Sequence, residues 1–291
     1  MRGWWREIAG LVLPVACGGC GRPRTELCPE CAEELTGTGP CRVRPEPEPA
    51  GLPAVHAAAP YAGAVREVLL AHKERGALAL AGPLGGALAG AVEAAAGAVA
   101  GSGGGPLLLV PVPSSRRSVR ARGHDPTRRI ALAAAARLRR TGRDARVAPV
   151  LRQRRYVADQ AGLGARGRLA NLSGALEVVP GGARLLTAGS TAGSTAGSTT
   201  GNAAGRTAGP ATGTVVLVDD LMTTGASLAE AARALGAVRL SFISEIPHGL
   251  PAVSAQHGFE QRAAAVIASS PASFEINRNS SRSWIVAGGE R

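Results

Sequence analysis

Apolar positions along the chain alternate between helical spacing and short, continuous strand-like runs. The spacing predicts a short amphipathic helix near the start, with Trp4, Trp5, Ile8, Leu11 and Val12 on one face. It predicts helices over Ala64–Arg75 and over the Ala- and Gly-rich stretch Ala77–Ala100, with Gly101–Gly105 as a flexible break. Leu107–Val112 reads as a buried strand. Asp125–Pro126 opens a helix, with Asp as N-cap and Pro at the first helical position; it runs to about Arg140 and ends at Thr141–Gly142. Ala145–Leu151 and Thr214–Val218 read as strands, Leu228–Leu235 as a helix, and Ala263–Ser269 as the closing strand of the sheet. Strands alternating with helices predict an α/β fold, a mostly parallel sheet with helices on both faces.

The 291 residues correspond to one or two domains. Only 3% are aromatic, so the core must rest on Ala, Val and Leu. Residues 1–44 hold all five cysteines and form a candidate zinc-ribbon-like module. Residues 45–53 (PEPEPAGLP) read as a stiff linker, and 54–291 as the main domain. Within that domain, 180–213 is low-complexity, with TAGSTAGSTAGST at Thr187–Thr199, and reads as a disordered insertion. No apolar run reaches the roughly 18 residues that span a bilayer. The run Ile8–Ala16 is broken by Pro14 and lacks a convincing cleavage site, so no membrane span and a cytoplasmic location are expected.

Net charge is +12, which favours polyanionic partners such as nucleic acid, nucleotide phosphates or pyrophosphate. Between Pro111 and Asn171 sixteen Arg face three Asp, so the basic excess is concentrated in one segment. Lys73 is the sole lysine. Arg offers phosphate a planar fork, where Lys is a point charge.

Cys17-Gly-Gly-Cys20 and Cys28-Pro-Glu-Cys31 are two CxxC knuckles whose spacing fits one tetrahedral, structural Zn²⁺. Disulfides or free thiols are the other readings, and a disulfide framework is disfavoured without a secretion signal. Cys41 is unassigned. With four thiolates, no open coordination position for catalysis is implied.

Thr214–Ser227 (TVVLVDDLMTTGAS) is an apolar strand ending in two carboxylates, then a turn of small hydroxyl residues, then a helix. Unsatisfied backbone N–H groups at a helix start favour a dianionic phosphate. Gly225 and Ala226 permit close approach, while Thr223, Thr224 and Ser227 add hydroxyl donors. Asp219 and Asp220 suit the vicinal hydroxyls of a ribose, and Mg²⁺ held directly or through water. An ordinary strand–turn–helix corner shares part of this pattern. A Walker-type site is not expected, because no GxxxxGK[ST] occurs.

The Thr214–Ser227 segment resembles the phosphoribosyl-pyrophosphate (PRPP) motif of type I phosphoribosyltransferases. The resemblance implies that Asp219 and Asp220 bind the ribose diol at the catalytic centre. It gives Thr223, Thr224, Gly225, Ala226 and Ser227 the 5-phosphate.

The motifs in order, from the cysteine module through Tyr61-Ala62-Gly63, Ala71-His72-Lys73-Glu74-Arg75-Gly76, PVPSSRRSVRARGHD and RQRRYVADQAGLGARGRLANLSGAL, resemble the ComF family, named for its link to DNA uptake in competent bacteria. The resemblance covers roughly residues 5–236. It implies a type I phosphoribosyltransferase fold, with Ser114, Arg116, Arg117 and Arg122 on the pyrophosphate side. It implies a mobile flap over Arg152–Asn171, including Asp159, Gln160 and Arg168. From the residues alone this segment reads as an exposed basic loop. Two functions follow as expectations. One is phosphoribosyl transfer from PRPP–Mg²⁺ to an acceptor the sequence does not name. The other is non-catalytic: a PRPP or nucleotide sensor, or a DNA-uptake accessory that binds single-stranded DNA or DNA-uptake proteins.

Overall fold

The computed structural model describes residues 15–37, 39–99, 106–157, 164–191, 213–244 and 262–275. The expected N-terminal amphipathic helix, Gly101–Gly105, the segment Pro247–Gln261 and most of the TAGS repeat lie outside them.

Helix α1 (Pro29–Thr36) follows the first cysteines. Strands β1 (Cys41–Val43) and β2 (Ala54–Pro60) come next, then α2 (Gly63–Glu74), a 3-10 turn at Leu78–Leu80, and α3 (Ala81–Gly97). Strand β3 (Leu107–Pro111) leads through α4 (Arg116–Arg122) and α5 (Pro126–Arg140) to β4 (Ala145–Val147). Strands β5 (Leu151–Gln153) and β6 (Leu176–Val178) flank α6 (Ala165–Leu172) and precede α7 (Gly182–Thr191). The described residues end with β7 (Thr214–Met222), α8 (Ala226–Ser244), β8 (Arg262–Ser269) and α9 (Pro271–Glu275).

Among the described residues, six strands form one sheet in the order β1-β2-β8-β7-β3-β4. All neighbours are parallel except β1, which runs antiparallel to β2 with Cys41 opposite Ala57. The expected mostly parallel sheet between helices is therefore present. One layer buries Val65, Leu69, Leu84, Leu88, Ile130 and Leu138 from α2, α3 and α5. The other buries Leu228, Ala231 and Leu235 of α8 with Leu151 and Leu176 of the β5–β6 pair. Small residues let the layers close up. A Cβ on Gly85 of α3 would stand 2.5 Å from the Cβ of Ala133 on α5. The Ala- and Gly-rich composition is what allows these helices to touch backbone to backbone.

Several elements differ from expectation. β8 is not the closing strand; it lies between β2 and β7, and its run of Ala and Val is buried on both faces. Ala145–Leu151 is not one strand: beyond Val147 the chain passes Pro149, and Leu151 begins β5 in a separate two-stranded antiparallel sheet. β7 runs four residues past Val218 and carries both aspartates inside the strand. Arg152–Asn171 is not loop throughout, since it contains the end of β5 and most of α6. The first part of the low-complexity segment is helical as α7, with Leu186 buried.

The 20-residue helical stretch Leu78–Gly97 is long and apolar enough to cross a membrane by length and composition. Scanning for unbroken apolar runs passes over it, because Pro83 and Glu93 interrupt it. It packs into the first layer through Leu84, Leu88, Val92 and Ala96, as a core helix does.

β3 and β7 are neighbours, and their connections diverge. From β3 the chain passes through α5, in the first layer, outward to β4. From β7 it passes through α8, in the second layer, to β8 on the other side. This is a topological switch point, and open α/β sheets take ligands in the crevice beyond the strand ends there.

Candidate functional site

The crevice is built by the turn after β7. Gly225 has φ of +73°, a left-handed conformation that glycine adopts without a Cβ penalty. A Cβ there would also meet Leu52 at 3.0 Å and Pro45 at 3.3 Å. The Pro-rich segment 45–53 therefore packs onto the back of the loop. The Gly225 carbonyl accepts from Ala229 N at 2.9 Å, so α8 starts directly after it. A recess is lined by Asp219, Thr223, Thr224, Gly225, Ala226, Ser227 and Leu228. The first-turn N–H groups of α8 have no helical acceptor behind them, which suits an anion.

Asp219 lines this recess, and Asp220 follows it in β7 with its side chain on the opposite face, towards α2. Asp220 is buried, with 7% of its side chain exposed, and its Oδ2 accepts from Lys73 Nζ at 2.9 Å. Asp219 is partly buried and its Oδ1 accepts from the backbone N–H of Asp220 at 2.8 Å. Burial pushes Asp219 well above the usual carboxylate range. The Asp220 charge pushes the same way, and Lys73 pulls back. The Asp220 charge also holds the Lys73 ammonium above its ordinary value.

Lys73 was not singled out as a site residue by sequence reasoning. The signal was there: a single lysine among 33 basic residues. It sits in the last turn of α2 between two other cross-links. The neighbouring Glu74 accepts from Arg122 twice, at 2.7 and 3.1 Å. His72 on its other side meets His124 edge to face, ring centres 5.8 Å apart.

Other expected site residues are distributed as follows. Arg168 of α6 donates from Nη1 to Thr223 Oγ1 at 2.8 Å, so α6 reaches the turn after β7. Arg152 donates to Glu177 across the β5–β6 pair at 2.8 Å. The Asn171 carbonyl accepts from Arg155 at 2.9 Å. Ser114 Oγ donates to Asp125 Oδ1 at 3.3 Å, and Asp125 caps α5 by accepting from Arg128 N. Arg116 and Arg117 are exposed on α4. Asp159 and Gln160 lie outside the described residues. The β5–β6 pair is fastened by a buried residue that the sequence pattern did not mark. Glu230 of α8 accepts from Leu176 N at 2.9 Å and pairs with Arg233, which donates to the Leu176 carbonyl.

The cysteine cluster stands apart from the crevice. The sulfurs of Cys17, Cys20, Cys28 and Cys31 all lie within 4.8 Å of one another. A tetrahedral zinc with Zn–S of about 2.3 Å needs sulfurs about 3.8 Å apart. Gly19 makes room, since a Cβ there would stand 2.7 Å from Cys31 Sγ. Burial pushes Cys17 up, but backbone N–H groups of Cys20, Cys28 and Gly19 outweigh it and bring the thiol down to about 6. Burial, with the neighbouring thiols, drives the Cys31 thiol far up. The residues fit a structural zinc. Cys41 is not among them; it begins β1.

Mg²⁺ is different. One oxygen of Asp220 carries an ammonium, one of Asp219 carries an N–H, and among the described residues no third carboxylate, imidazole or thiolate joins them. The protein side does not build a magnesium cage. No protein-family model matches this chain, and no curated protein matches it.

Proposed function

We propose that the chain is a ComF-like protein with a type I phosphoribosyltransferase domain that binds a PRPP-type phosphorylated ribose in the crevice beyond β7. The observation that carries the reading is the joint lining of one recess by Asp219 and by the loop Thr223–Ser227 at the switch point. The 5-phosphate takes the first-turn N–H groups of α8 and the hydroxyls of Thr223, Thr224 and Ser227. The ribose diol donates to Asp219 and Asp220. Arg168 already contacts Thr223 and supplies a positive edge to the phosphate.

Transfer would break the bond from C1 of the ribose to pyrophosphate, with the electron pair leaving on the pyrophosphate oxygen. The acceptor then bonds to C1 and loses its proton. Arginines near the crevice stabilise the leaving charge. Arg122, bound to Glu74, is the half-buried one of the set; Arg116 and Arg117 are free to turn towards a diphosphate. Mg²⁺ belongs in this reading to the diphosphate of the ligand. The test is pyrophosphate release from PRPP against a panel of nucleobases and amines, with Asp219→Asn/Asp220→Asn as control. Release by the wild type alone supports transfer; none above the control leaves binding without turnover.

A second reading is favoured by the exposure of Arg116, Arg117 and Arg120 on α4, a helix with no buried residue. It makes the domain a PRPP-sensing or single-stranded-DNA-binding accessory of DNA uptake. Phosphate contacts of that kind weaken steeply with salt.

A further inference from the structure

We propose that Lys73 is the resident counter-ion of the Asp219–Asp220 pair, so that the recess takes a ribose phosphate with no divalent cation bound to the carboxylates. The ligand half rests on the reading above; the cation half stands on geometry alone.

Two adjacent carboxylates, one of them 7% exposed, need a cation nearby, because a buried charge without a partner is strongly unfavourable. Two kinds of cation can serve, a metal ion or an ammonium, and they compete for the same oxygens. The ammonium is already there, 2.9 Å from Asp220 Oδ2. It arrives from 147 residues away in sequence, on a helix that is held from three sides. The cysteine module packs on α2: a Cβ on Gly19 would meet Ala64 at 3.1 Å, and one on Gly18 would meet Ala71 at 3.4 Å. Glu74 is clamped by Arg122, and His72 is buried against His124. Lys73 is therefore delivered to the acids by a fixed turn, rather than by a surface side chain that wanders.

The choice of residue type supports this. In a chain that otherwise uses arginine throughout, the residue paired with Asp220 is lysine. An ammonium is a compact point charge that sits against one carboxylate oxygen; a guanidinium is a broad planar fork that occupies both. Lysine leaves the remaining carboxylate oxygens open to accept from a diol.

The test uses the full chain loaded with zinc. Mn²⁺ binding is followed by electron paramagnetic resonance in the wild type, Lys73→Met and Lys73→Met/Asp220→Asn. Ribose 5-phosphate, which carries no diphosphate to chelate a metal, is titrated with and without Mg²⁺. Removing the ammonium should raise Mn²⁺ affinity by about tenfold or more, and the second substitution should abolish the gain. The wild type should bind ribose 5-phosphate with the same affinity in both buffers, and Lys73→Met should need Mg²⁺. Equal Mn²⁺ affinity in wild type and Lys73→Met overturns the inference, as does wild-type sugar binding that appears only with Mg²⁺. Lys73→Gln gives the same Mn²⁺ comparison if Lys73→Met does not fold. Absence of ribose 5-phosphate binding in every variant defeats the ribose reading alone, and the Mn²⁺ comparison still decides the role of Lys73.

Discussion

Arg168 and Thr223 are joined by a hydrogen bond of 2.8 Å, from the guanidinium of α6 to the hydroxyl that opens the turn after β7. The contact ties a segment beside the crevice to the groups proposed to hold phosphate. Arg168→Ala should weaken ribose 5-phosphate binding by about tenfold or more, the scale of a charged hydrogen bond. Arg168→Lys should recover part of it. Calorimetry checks this, with thermal unfolding to show that the fold is intact.

Asp219 carries a cost that function would explain. Its folded-state pKa is raised, mainly by burial and then by Asp220. A carboxyl raised in this way favours folding while it is protonated. That stability is present at low pH and is lost from about pH 4, where the unfolded chain titrates, upward to Asp219's own raised value. Asp219→Asn should therefore stabilise the protein at pH 7 by about 1 kcal/mol or more while removing ligand binding. Denaturant unfolding of the two proteins at pH 4 and pH 7 measures it, with the larger gain expected at pH 7.

Glu230 behaves oppositely. Burial opposes its charge, but Arg233 and the N–H groups of Leu176 and Gly174 hold its pKa below the ordinary value. Its contribution is full above about pH 4.3 and is lost as pH falls through the lower folded value. Glu230→Gln should cost about 1–3 kcal/mol at pH 7 and flatten the acid limb of stability. Since Arg233 is half exposed, the lower end of that range is expected.

Gly225→Ala places a Cβ at φ +73°, 3.0 Å from Leu52. A loss of about 1–2 kcal/mol from the left-handed conformation is expected, with weaker phosphate binding because the turn must shift. Unfolding and sugar-phosphate titration of the same variant separate the two effects.

The cysteine cluster should hold one zinc per chain, and Cys31→Ser should lose it. Chelation should lower the melting temperature, because metal-binding energy here is folding energy. Metal analysis beside a thermal scan reads both.

Local signals carried much of the fold. Asp125–Pro126 named its helix start because a capping carboxylate and a proline act within one turn. β3 and β7 were visible as apolar runs, and the cysteine spacing put four sulfurs together. Sheet order was harder, because sequence order says little about which strands become neighbours. β8 is the last of the described strands yet central, and its freedom from polar residues across Ala263–Ala268 was the available clue. The lining of the recess was legible where it is continuous in sequence, at Asp219 and Thr223–Ser227. Lys73 and Glu230 were not, because each acts through a contact made only when distant elements pack.

The most direct test of the central claim is calorimetric titration of PRPP into the zinc-loaded protein, wild type beside Asp219→Asn/Asp220→Asn. The account predicts saturable binding at one PRPP per chain in the wild type and none in the double variant. No saturable binding by the wild type, or equal binding by both proteins, would contradict it.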